Sequence, residues 1–187
     1  MLGVDYAVPP IATELSSPQM AHPLVEQLHF TRAEWLRGLR GVTQAEALRR
    51  LEPMNSVGWI VGHLAWHEQR YWLTRAQGST PYPVLNEVAA AGGPATPPAL
   101  AEMLAAWREV TRAADRWLDA LSTADLLADL PGPGARRRVG DSIHRVTYHY
   151  WFHIGEIQAI RQMIGHTRLP QFVGDIERRG PFRPETP

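Results

Sequence analysis

The chain has 187 residues, enough for one well-buried core and too few for a second full domain. Nineteen Lys and Arg balance nineteen Asp and Glu, so no net charge draws it to nucleic acid or to an anionic membrane surface. It contains no cysteine, which excludes disulfides, thiolate zinc sites and a cysteine nucleophile, and leaves any metal to histidine and carboxylate.

Residues 1–21 carry Pro9, Pro10 and Pro18 among small and apolar residues and read as an extended N-terminal arm. They lack the basic-then-apolar order of a secretory signal, and no apolar run in the chain approaches the roughly 18 residues of a membrane span, so a cytoplasmic protein is expected. From Pro23, at a first helical position, Leu24, Leu28, Trp35 and Leu39 recur at helical spacing until Gly41. Thr43 and Glu46 form a capping-box pair that opens a short helical connector.

Asn55 or Ser56 caps the second helix, whose Val57, Ile60, Val61, Leu64 and Tyr71 cluster on one side before Gly78. Residues 79–97, rich in Pro, Gly and Ala, are too long for a tight turn and predict a crossover. Thr96, before Pro97 and Pro98, marks the start of the third helix, with an apolar stripe from Leu100 through Trp107 and Val110 to Leu121. Ser122 and Asp125 repeat the capping-box spacing, and a Pro/Gly loop follows at 131–134. Asp141 is the expected cap of the fourth helix, which carries Ile143, Val146, Tyr150, Ile157 and Ile164 inward and stops near Gly165. Residues 168–187, with four prolines, read as an irregular tail. The fold class is therefore all-α, a four-helix bundle over residues 22–167 with a long crossover between helices two and three.

Eight histidines set the question of which converge. Advancing about 100° per residue from Tyr150, His149 and His153 fall beside the core face of the fourth helix, while His144 lands on the solvent side. Two histidines at i and i+4 can share one ion, although the commoner fate of such a pair is core hydrogen bonding. His63 and His67 repeat the spacing at the edge of the second helix's apolar stripe, and facing bundle helices build metal sites from inward side chains. Periodicity does not choose between His63 and His67. A di-iron bundle is excluded because the glutamates of its Glu-x-x-His pairs are missing: Val146, Tyr150 and Ile60 precede His149, His153 and His63 by three.

Two stretches, NSVGWIVGHLAWHEQRYW from Asn55 to Trp72 and YHYWFHIGEIQAIRQMIG from Tyr148 to Gly165, resemble the DinB/YfiT-like metalloproteins. The likeness extends more loosely over 23–175, including the FVG stretch at Phe172–Gly174. The resemblance implies a four-helix bundle with a three-histidine metal site, and its Gly-His-Leu setting selects His63 to join His149 and His153. His67 is not required as a ligand and is assigned to the pocket or to a supporting position. Zinc is the first expectation for the divalent ion, with nickel, iron or manganese as alternatives.

Three neutral imidazoles leave a coordination position free, the arrangement of a catalytic rather than a structural zinc. The resemblance implies a transferase that activates a low-molecular-weight bacterial thiol against a small electrophile, and the thiol must come from outside a chain without cysteine. Metal-dependent hydrolysis is one alternative. A non-enzymatic stress-response or binding module with a structural metal is the other, and the resemblance is compatible with a homodimer. Trp59 and Tyr148 are candidate pocket residues beside His67, and Glu156 is placed within a turn of His153, where it can orient an imidazole.

Overall fold

The computed structural model describes residues 20–93 and 99–184. The expected arm at 1–19 and the proposed start at Thr96–Pro98 lie outside the described residues. Four long helical stretches form the bundle: α1 (Pro23–Leu39), α3 (Val57–Glu68), α5 (Leu100–Leu118) and α7 (Val139–Met163). Single-turn helices fill the connections, α2 (Gln44–Leu48), α4 (Leu85–Val88) and α6 (Thr123–Leu127), and a fourth, α8 (Ile176–Arg179), follows α7. No strand is present among the described residues, only a bridge between Asp129 and Arg138.

The caps show how local sequence sets these elements. His22 Nδ1 accepts from Leu24 N, with Pro23 at the first position of α1. Both capping boxes close, Thr43 with Glu46 ahead of α2 and Ser122 with Asp125 ahead of α6. Of the two candidates for α3, Ser56 is the cap, accepting from Trp59 N. The expectation for α7 is corrected. The helix starts at Val139 with Arg138 as its cap, and Asp141 sits inside the first turn. The backbone pairing of Leu130 N with Arg137 O and of Val139 N with Ala128 O sets that start, and Asp141 still favours the helix through its charge. At the far end Ile164 is half-buried at the C-cap rather than inward, and Gly165 follows in the left-handed region at φ 97°.

Helix α1 packs on α7 and α3 on α5, and α3 also meets α7 across the centre. Trp35 of α1 lies against Trp107 of α5, centroids 4.7 Å apart, and edge-on to Tyr150 of α7 at 5.7 Å. The second helix departs from the expected one-sided stripe, because every residue of α3 from Val57 to Glu68 is buried. Its outer face is covered by the crossover. Trp66 Nε1 donates to Asn86 Oδ1 at 2.9 Å, and the Gln69 amide pairs with the Tyr82 backbone in both directions, at 2.8 and 3.0 Å. Past Glu68 the helix widens into a π-helical segment over Gln69–Arg75.

Residues after α7 pack back on the bundle. Phe172 of the FVG stretch lies under the Arg37 guanidinium at 4.6 Å and edge-on to Trp151, while Gln27 Nε2 donates to Gly180 O at 2.8 Å. The tail is thus irregular except for the single turn α8. Arg161 of α7 donates to the carbonyls of Gly38 and Arg40 and so satisfies the end of α1. No described helix is long and apolar enough to cross a membrane.

Candidate metal centre

Where α3 faces α7, His63, His149 and His153 each offer a ring nitrogen, and the three atoms lie within 4.8 Å of one another. Among the described residues they form the one such group. His153 Nε2 and His149 Nε2 stand 3.0 Å apart. Two ligands on one tetrahedral zinc at 2.0–2.1 Å would be roughly 3.4 Å apart, so a small adjustment suffices.

The supports of the rings define which nitrogen is free. His63 Nδ1 lies 2.8 Å from the carbonyl oxygen of Ala89, which can only accept, so this nitrogen carries the hydrogen. In the neutral ring Nε2 then presents its lone pair. His153 repeats the arrangement, with Nδ1 at 2.8 Å from Glu156 Oε2. An imidazole held at one nitrogen by a carbonyl or a carboxylate is the usual setting of a metal ligand. His149 Nδ1 is buried without a partner, while its Nε2 faces His153.

Electrostatics keep two of the three rings, His63 and His149, neutral. Burial pushes His63 down to about 4, against the opposing Ala89 hydrogen bond, and burial followed by the His153 and His63 charges pushes His149 down to about 3. Neutral imidazole is the form a metal requires. The donor set thus fits a borderline divalent ion, with nitrogen ligands only and no thiolate.

The other expected residues are distributed around this cluster. Trp59 stacks flat on His63, centroids 4.6 Å apart and 11° between planes, so its role is to shield the ring. His67 is buried with its centroid 4.2 Å from that of His149 and its Nδ1 unpartnered, yet it stays outside the convergent group. Tyr148 is exposed and stacks on the exposed His144. Glu156 takes the orienting position.

A cleft of about 810 Å³ opens in front of the histidines, lined among others by His63, His67, His149, Tyr71 and Tyr148. Pockets with a higher share of apolar surface lie between α1 and the tail, away from the histidine cluster. We assign the functional site to the cleft because His63 and His149 both line it.

Sequence reasoning missed a buried network directly behind the cluster. Glu68, next to His67, receives Arg32 on both oxygens at 2.7 and 2.6 Å, and Tyr150, next to His149, donates to Glu68 Oε1 at 2.7 Å. Trp107 Nε1 donates to the Tyr150 oxygen at 2.6 Å, and Arg32 also reaches Asp115 at 2.6 Å. Burial, followed by the Glu68 charge, holds the Tyr150 phenol protonated, well above its ordinary pKa. One network thereby joins α1, α3, α5 and α7 at the level of the site. A glutamate after His67 was the one available signal, and its distant partner Arg32 gives no local pattern.

The fold and the site together define an all-α bundle with a three-histidine cluster on facing helices. The family model of the DinB superfamily matches residues 27–157, which include all three histidines. The chain belongs to the DinB superfamily. No curated protein matches it.

Proposed function

We propose that this protein is a metal-dependent transferase that uses a low-molecular-weight thiol, with His63, His149 and His153 holding one divalent ion. The observation that carries the reading is the convergence of three imidazoles, two of them oriented at Nδ1, beside an open cleft that His63 and His149 line. A bound zinc or similar ion would supply Lewis-acid charge that favours the thiolate over the thiol.

The chain's own residues supply the rest. The Ala89 carbonyl and the Glu156 carboxylate fix two ring orientations, so little reorganisation accompanies binding. Burial by α3, α7 and the stacked Trp59 keeps competing water from the inner side of the cluster. The cleft holds the thiol and the electrophile side by side, which converts an encounter into a positioned reaction. The transferred carbon forms its bond to sulfur as its leaving group departs, and the thiol proton goes to solvent.

The test is elemental analysis of the untagged protein, then titration of the cobalt-substituted form with small thiols. Thiolate-to-cobalt absorption supports the reading. A metal-loaded protein that ignores thiols yet hydrolyses esters or amides would replace it with hydrolysis. Metal without either response would leave a structural role.

A further inference from the structure

The wall of the cleft is built from cations. Arg70 from the π-helical segment, Arg137 from the connection before α7 and Arg145 from α7 all line it, against one carboxylate, Asp141. Among the described residues, no carboxylate oxygen lies within 4.0 Å of any of these three guanidiniums. Their contacts are of other kinds. Arg137 Nη1 donates to the Tyr71 hydroxyl at 2.8 Å, and Arg70 sits over the Trp66 ring at 5.3 Å. Arginines elsewhere near the core are treated differently: Arg32 is paired with Glu68, and Arg37 and Arg179 with Glu34.

This excess is local, since the whole chain is neutral. Three unpaired guanidiniums around a concave site raise the local concentration of anions and offer planar donor forks that match an oxyanion. Their origin on three separate elements surrounds the cleft rather than forming one exposed stripe.

We propose that the cleft binds a small molecule bearing a carboxylate or phosphate oxyanion, which Arg70, Arg137 and Arg145 hold while its reactive end faces His63 and His149. The inference deepens the thiol-transferase reading and names the substrate class at the same site. Either the thiol or the electrophile can carry the oxyanion. The chemistry that recognises it is the same.

Calorimetric titration of the metal-free full chain near pH 7.5 reads oxyanion binding without the metal. Succinate and inorganic phosphate are the probes, and the tighter of the two identifies the group. Arg145→Gln or Arg70→Gln is expected to weaken binding by about tenfold, the scale of one charge-assisted contact. Arg112→Gln, an exposed residue of α5 outside the cleft, should leave it unchanged. Failure of both probes to bind at millimolar concentration, or equal binding in all variants, overturns the proposal. In the cobalt-loaded protein, mercaptosuccinate should perturb the cobalt spectrum at a concentration about tenfold lower than neutral 2-mercaptoethanol. Equal concentrations would place the oxyanion on the electrophile rather than on the thiol, with the proposal then resting on the calorimetric result. Oxyanion binding by a chain that cannot be loaded with any divalent ion would defeat the metal reading and leave this one standing.

Discussion

His63 reaches out of α3 to donate its Nδ1 hydrogen to the carbonyl of Ala89, 26 residues further along the chain. The crossover is thereby part of the metal centre, because it decides which face of the ring is offered to an ion. Gly62 makes this contact sterically feasible: a Cβ there would stand 3.1 Å from the Ala89 Cβ and 2.6 Å from the Met103 sulfur. Gly62→Ala is expected to displace the crossover and cost about 1–3 kcal/mol, as overpacking does. Chemical denaturation and metal content, measured on the same variant, should fall together.

Glu156 orients His153 through the 2.8 Å contact to Nδ1. Glu156→Gln can still hold the ring but removes the charge that raises its basicity, and metal affinity should fall by about 10–100-fold. Competition with a calibrated chelator measures this. Unchanged affinity would show that Glu156 is a bystander.

The pH dependence follows from the depressed histidines. An unfolded imidazole titrates near 6.5, while His63 in the folded protein is held to about 4 and His149 to about 3. As pH falls from about 6.5 toward 4, the unfolded chain takes up protons that the folded protein refuses, so stability falls with falling pH. Melts of the metal-free protein should lose temperature steadily across this window. A variant with both His63→Ala and His149→Ala should show a shallower decline, and identical slopes would contradict the assignment of buried neutral rings.

Glu68 and Arg32 are both buried, and removal of one partner strands the other. Glu68→Gln leaves Arg32 with Asp115 as its remaining carboxylate and is expected to cost about 3 kcal/mol. Tyr150→Phe removes the acceptor of Trp107 Nε1 and should cost about 1–2 kcal/mol. Urea denaturation of both variants checks the order of the two losses.

Gly155 on the exposed side of α7 has nothing within 4 Å of where a Cβ would stand. Gly155→Ala should therefore stabilise the protein by about 0.5–1 kcal/mol through helix propensity alone, with metal content unchanged.

What was legible in the sequence was local. The capping boxes at Thr43 and Ser122 close within four residues, and the α7 wheel separates His153 from exposed His144 because that helix has a solvent side. In α3 no such side exists. The crossover and π-helical segment bury it all round, so periodicity had no basis for ranking His63 against His67, and family resemblance made the choice. Asp141 has the residue type of a cap but not its place, because the start of α7 is set by pairing of Arg138 with Asp129, a contact between separate segments. The Arg32–Glu68–Tyr150 network and the Ala89 carbonyl depend in the same way on tertiary neighbours.

The central claim, that His63, His149 and His153 hold one ion, is tested most directly by the metal content of the purified full chain. Wild type and His144→Ala should each carry one divalent ion per chain, and His63→Ala and His153→Ala should carry none while remaining helical by circular dichroism. Equal metal content in all four proteins, or a metal-free wild type that cannot be loaded, would contradict it.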